Sequence, residues 1–144
     1  DYIDTNNVIV NAILNEKYFQ ALEQGSVMVC KINDLAGMTI EDQDIALLLS
    51  NLLNNALEAC QKCVDEKVIK VKLVQEDDNI VLSVKNTYDG NVITSEGSYI
   101  TTKKNKRNHG VGIKNMIQVI EKYDGYYSIS YDEKYFSFSC VIPK

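Results

Sequence analysis

Two alternating runs, "KVIKVKLVQ" (67–75) and "IVLSVKN" (80–86), flank the polar turn "EDDN" (76–79). A period of two marks each run as a half-buried strand, and so short a connection joins them as a hairpin. A second pair, "YYSISY" (126–131) and "YFSFSCVI" (135–142), is joined across "DEK" (132–134). Helices arrive singly between these strands. The first is expected over 6–23, with a rough apolar face of Val8, Ile13, Leu14, Phe19, Ala21 and Leu22, and Gly25 stops it. A strand follows at 26–32, carried by Val27, Val29 and Ile32, and then a loop at 33–39. The second helix is expected over 40–64, with Thr39 as its N-cap. The stretch 87–108 loses periodicity and reads as one long loop, and a third helix runs over 109–123. The order is helix, strand, helix, two strands, loop, helix, two strands. It predicts an α+β sandwich, with one mixed or antiparallel sheet and the helices on one face.

The length of 144 residues suits one domain, and 45% apolar residues suit a packed core. A formal net charge of -5 argues against nucleic acid and against a polybasic membrane surface. No apolar run approaches the roughly 18 residues of a spanning helix. The chain begins at Asp1 rather than Met, so it is expected to be a piece of a longer protein. Cys60 and Cys63 form a CxxC late in a helix, with neither a second pair nor a histidine cluster. They are expected to be buried, reduced thiols, as are Cys30 and Cys140.

Four constellations stand out against this background. Around "NLLNNALEAC" (51–60), Leu49, Leu52, Leu53, Ala56 and Cys60 share one face, while Asn51, Asn55, Glu58 and Lys62 form a second stripe. A solvated face is ordinarily Lys, Glu, Gln and Arg, because asparagine is a poor helix former. An amide supplies a neutral oxygen for Mg²⁺ and N–H donors for phosphate. In "HGVGIKN", Gly110 and Gly112 open a helix, where free N–H groups and close backbone approach suit phosphate. The segment "TTKKNKRN" (101–108) gathers Lys103, Lys104, Lys106 and Arg107 beside the hydroxyls of Thr101 and Thr102. "KNTYDG" (85–90) places Asn86, both donor and acceptor, at a strand end. Each alone is equally a plain helix face, turn or loop.

The order of these four resembles the ATP-binding domain shared by gyrase, the ninety-kilodalton heat-shock chaperones, histidine kinases and the MutL proteins. "NLLNNALEA" resembles the N box, "NTYDG" occupies the place of the G1 box, and "GVGI" resembles the G2 box. The early "NNVIVNAILNEKYFQALEQG" resembles the Agr-like, quorum-type receptor kinases of Gram-positive bacteria. The resemblance implies a two-layer α/β sandwich (Bergerat fold): one mixed, mostly antiparallel sheet on three helices, with an ATP lid at about 91–108. It implies a single catalytic and ATP-binding domain over 1–144, whose cofactors are ATP and Mg²⁺. Asn55 would hold Mg²⁺, Asn51 would contact phosphate or the metal's water, and Glu58 would lie at the far end of the stripe. Asn86 would accept from the adenine amino group, and Gly90 matches the last G1 glycine. Thr102, Lys103, His109, Gly110 and Gly112 would surround the phosphates. The chain departs from the family at the G1 aspartate, here Asn86, at the first G1 glycine, here Tyr88, and at Ile113 in place of Leu.

The resemblance implies transfer of the γ-phosphoryl group to a histidine on a dimerisation domain outside this chain. A response regulator would act downstream, in two-component signalling on the cytoplasmic side of a membrane-bound receptor, and this part would be monomeric. The alternatives are a stand-alone anti-sigma-factor serine kinase of the same fold and an interaction domain that has lost nucleotide binding.

Overall fold

The computed structural model describes residues 2–90, 92–95, 98–101 and 106–144, with backbone alone given within 92–111. Three helices are described, α1 (Val8–Glu23), α2 (Asp42–Gln61) and α3 (Lys106–Lys122). The strands are β1 (Val27–Ile32), β2 (Val68–Gln75), β3 (Asn79–Thr87), β4 (Val92–Ser95), β5 (Ser98–Thr101), β6 (Tyr126–Tyr131) and β7 (Tyr135–Pro143). Five of them form one sheet in the order β1-β2-β3-β7-β6. Only β1–β2 is parallel; the β2–β3, β3–β7 and β6–β7 pairs are antiparallel. Both expected hairpins are present.

Alternation decides which face is covered. Ile69, Val71 and Leu73 of β2, Ile80, Leu82 and Val84 of β3, and Phe138, Cys140 and Ile142 of β7 are buried. They join a core with Leu48, Leu49, Leu52, Leu53 and Ala56 of α2, Leu14 of α1, and Met116 and Ile120 of α3. Helix α2 lies centrally, in contact with β2 and β3 and flanked by α1 and α3. The opposite face of the sheet has no helix over it among the described residues. No helix among the described residues is long and apolar enough to cross a membrane.

The structure departs from the sequence reading at four places. Helix α1 buries Val10, Asn11, Leu14, Lys17 and Ala21, leaving Val8, Phe19 and Leu22 more than half exposed. The cause is polar. Asn11 Oδ1 accepts from the backbone N–H and the hydroxyl of Thr5, both at 2.7 Å, and Asn15 exchanges two 2.9 Å bonds with the backbone of Ile3. These bonds turn the asparagine face, rather than the Phe19 face, toward the entering chain. Second, α2 begins two residues late. Glu41, not Thr39, is its N-cap and makes no side-chain capping bond, while Asp42 and Asp44 meet the helix dipole and buried Ile40 anchors the entry. Third, the long loop contains the hairpin β4–β5, pairing Val92 with Thr101 and Ser95 with Ser98. Fourth, α3 starts at Lys106 rather than at residue 109, so Gly110 and Gly112 lie inside the helix.

At its other end α3 is fixed tightly. After Asp124 (φ 59), the Gly125 N–H donates to Ile120 O at 2.9 Å, and a Cβ on Gly125 would stand 2.6 Å from Val141 O. Only glycine allows that approach. All four cysteines are free. Cys60 and Cys140 are buried, and burial pushes the Cys140 thiol up to about 12 and that of half-buried Cys30 up to about 11.

Candidate functional site

The asparagine stripe of α2 stands partly clear of the core. Asn51 and Asn55 are half-buried, while Asn54 and Glu58 are exposed. Leu48, Leu49, Leu52, Leu53, Ala56, Leu57 and Cys60 are buried on the sheet side. Packing therefore holds the helix together despite three residues of poor propensity.

Helix α3 approaches this stripe beside Asn51. A Cβ built on Gly112 would lie 3.8 Å from Asn51 Oδ1 and 3.9 Å from Asn51 Cγ. That is ordinary van der Waals contact. The space before Asn51 is bordered by a glycine, although the described residues would admit an alanine there. Asn51 and Gly112 therefore lie close to one another. Glu58 lies elsewhere: it lines a groove of about 480 Å³ between α1 and α2, with Gln20, Glu23, Gln24, Asn54, Leu57 and Gln61.

Asn86 sits on β3 between Ile69 and Phe136, only 5% exposed. Its Nδ2 donates to Thr87 O at 3.0 Å. Thr87 is fastened in turn: its hydroxyl accepts from Val68 N–H at 3.0 Å and lies 3.5 Å from Cys60 Sγ. The carbonyl of Thr87 needs a donor, so it fixes the amide's orientation. Among the described residues, none donates to Asn86 Oδ1. The amide thus offers an acceptor oxygen, the group an aspartate would present, and one N–H of its Nδ2 is occupied by Thr87 O.

Tyr88 is committed away from this amide. Its backbone N–H donates to Lys134 O at 3.2 Å, its hydroxyl donates to Asp132 O, and its ring meets Phe136 edge-on at 6.0 Å. Burial, and then the nearby Asp132 carboxylate, raise its pKa. Gly90 adopts φ 86, a left-handed turn open to glycine. His109 and Gly110 belong to the first turns of α3; for His109 the backbone alone is described. Thr102 and Lys103 lie outside the described residues.

A cluster that the sequence reading missed joins the far end of α3 to the start of α2. Buried Asp44 accepts from Lys122 Nζ at 2.8 Å and from the Tyr123 hydroxyl at 2.5 Å. Lys122 also reaches Glu41 Oε1 at 3.1 Å, and Glu41 N–H donates to Tyr123 Oη at 3.0 Å. Chiefly the Lys122 bond, then the Tyr123 bond, hold the Asp44 carboxyl below the usual carboxylate range against the effect of burial. Lys122 is raised correspondingly. No local motif announces this cluster, because its members lie far apart in sequence. Lys17, buried on α1 with its Nζ 3.2 Å from Glu16 Oε1, was also unmarked.

Among the described residues no group of three or more His, Cys, Asp or Glu is placed to hold a metal. The amide oxygens of Asn51 and Asn55 are hard, neutral donors. They suit Mg²⁺, which takes one or two protein ligands and completes its shell with water and phosphate.

A family model described as a GHKL domain matches residues 40–143. Among solved structures, the catalytic domain of histidine kinase ThkA is 19% identical, with 94% of each chain covered and a TM-score of 0.68. The Acinetobacter baumannii histidine kinase AdeS is 15% identical over 96% of this chain and 64% of its own, with a TM-score of 0.68. Full-length ShkA in complex with AMPPNP is 12% identical over 99% of this chain and 30% of its own, with a TM-score of 0.69. At these identities the likeness is one of fold: an α+β sandwich with a five-stranded mixed sheet and three helices. No curated protein sequence matches the chain.

Proposed function

This chain belongs to the GHKL domain family, and from that premise we propose that it is the ATP-binding catalytic domain of a sensor histidine kinase. The observation that carries the reading is Gly112 opposite Asn51. Glycine in a helix interior costs about 1 kcal/mol relative to alanine, yet a Cβ here would meet Asn51 only at ordinary contact distance. Among the described residues nothing requires the glycine, and the space before Asn51 suits a ligand. Polyphosphate is the group that asparagine amides and a close helix backbone would hold.

On this reading Asn51 and Asn55 donate to, and orient, the phosphates. Asn55 would also hold Mg²⁺, whose charge offsets that developing on the transferred group. Gly110 and Gly112 admit the phosphates to the backbone of α3, with Thr102, Lys103 and His109 contributing from the lid side. Asn86 Oδ1 accepts from the adenine amino group, one N–H of its Nδ2 being occupied by Thr87 O. Gly90 supplies the turn beside the base. Glu58 stands at the end of the stripe nearer α1 and is the least directly placed of the proposed catalytic residues. The chemistry is positioning: the phosphoryl acceptor is a histidine on a dimerisation domain that docks against this one, and a response regulator receives the group next. The parent would be a membrane-bound receptor of the quorum-type class, with this domain on the cytoplasmic side.

Titration with a fluorescent ATP analogue, with and without Mg²⁺, tests the reading. We expect saturable, Mg²⁺-dependent binding, with Asn55→Ala weaker by about tenfold or more and Asn55→Asp altered in its metal dependence. Absence of saturable binding by the parent chain would overturn the proposal.

A further inference from the structure

The sheet face turned away from the helices carries a concentration of positive charge that the nucleotide reading leaves unused. Registered partners point to the same face, and on it Lys31 lies beside Lys72 and Lys70 beside Lys85. All four are exposed, and none makes an ion pair among the described residues. Like charges directly opposite across strands are destabilising. This chain has 20 acidic residues against 15 basic ones, yet sets two lysine pairs side by side.

The surroundings give the face a shape. Lys85, Lys70 and Lys134 converge on one ring, with Nζ atoms 4.8, 5.3 and 5.5 Å from the Tyr135 centroid. Beside it lies a recess of about 200 Å³ lined by Lys85, Ser130, Tyr131, Asp132, Tyr135 and Ser137. Ser83 and Ser139 continue the polar strip and bond to each other at 2.9 Å. Val27 and Val29, 57% and 53% exposed, lie at the β1 edge of the same face, with Val29 beside Lys70. Two acids at the Tyr135 end of this face are already engaged, and the Asp132 carboxylate also feels the Lys85 charge. Glu66 pairs with Lys134 at 3.0 Å, and Asp132 accepts from the backbone N–H groups of Lys134 and Tyr135.

We propose that this open sheet face is a docking surface for an acidic segment of a partner protein, gripped by Lys31, Lys70, Lys72 and Lys85 and seated against Tyr135. Charge complementarity selects the partner, and the recess selects its form. A hollow between a tyrosine ring and serine hydroxyls accepts a carboxylate side chain, whereas a bilayer presents a plane of headgroups. The net charge of -5 would oppose approach to an anionic membrane or a nucleic acid as a whole. An acidic segment meets the lysines alone, within a Debye length of about 8 Å.

The test uses the 144-residue chain and a fluorescein-labelled glutamate-rich peptide, followed by fluorescence anisotropy and by backbone amide NMR shifts. Saturable binding is expected, weakened by salt, with shifts centred on Lys31, Lys70, Lys72, Lys85 and Tyr135. Lys72→Glu with Lys85→Glu should weaken it by about tenfold or more. Lys72→Gln with Lys85→Gln, which removes charge without reversing it, should give a smaller loss and serves if the reversed variant fails to fold. The proposal is overturned by absence of binding, by equal binding to both variants, or by shifts centred on residues 101–107. Competition by Mg-ATP, or preferred partition onto phosphatidylserine-containing vesicles, would overturn it as well.

Discussion

On the proposed reading, Gly112 separates two demands that usually act together at a residue, fitting the fold and fitting a ligand. Substitution by alanine adds a methyl group at ordinary contact distance from Asn51 and removes the backbone entropy cost of glycine. The expected result is a thermal midpoint that holds or rises, by the equivalent of up to about 1 kcal/mol, together with clear loss of nucleotide-analogue affinity. A falling midpoint with unchanged affinity would assign Gly112 to packing instead. Asparagine shows the same division. Asn7, Asn11 and Asn15 recur at four-residue intervals along α1, as Asn51 and Asn55 do along α2. The first set is spent on backbone: Asn7 caps Val10 N–H at 3.0 Å, and Asn11 and Asn15 grip residues 3 and 5. The α2 spacing stood out from sequence and the α1 spacing did not, because the sequence does not show which backbone lies alongside. Asn86 was legible as an acceptor at a strand end, whereas the bond that occupies one N–H of its Nδ2 depends on Thr87 being pinned by Val68 and Cys60.

At the scale of elements, the contact between α2 and α3 depends on Asp44. A carboxyl whose folded pKa lies below its unfolded value adds stability that is fully present above the unfolded value, about 3.9. That stability is lost as pH falls through the lowered folded value. Urea midpoints of the parent and Asp44→Asn should therefore differ most near neutral pH and converge as pH falls below about 4. A gap that persists unchanged in acid would show that the bonds to Lys122 and Tyr123 are not the source. At neutral pH, Asp44→Ala should lower the thermal midpoint by roughly 5 °C. The strands and helices themselves were readable, since periods of two and 3.6 residues are local. The start of α3, the hairpin β4–β5 and the rotation of α1 were not. The first two lie in a polar stretch with no apolar period, and the third is set by hydrogen bonds to the entering chain. The charge cluster joins residues 78 or more positions apart, beyond any local pattern.

For the molecule as a whole, the matched family span of residues 40–143 omits α1 and β1, yet the fold uses both. Strand β1 covers the edge of β2 in six-residue parallel register, and α1 packs against α2. A chain cut to residues 40–144 would expose β2 as an edge carrying Ile69, Val71 and Leu73, an open template for pairing. We expect it to associate or precipitate where the 144-residue chain stays dispersed, as light scattering at matched concentration would show. A monodisperse, folded product would mean that α1 and β1 are appendages. The clamp of Lys122 and Tyr123 on Asp44, with Gly125 pressed against β7, has a further consequence that is mechanical. Gly112 stands ten residues from Lys122, about 15 Å along the helix axis. Helix α3 is a lever whose fulcrum is that clamp, and a tilt of about 5° there displaces Gly112 by about 1 Å, enough to spoil a catalytic alignment. On the proposed reading, the tolerance of the Gly112 end is thus machined at the opposite end of the helix, by groups remote from Asn51.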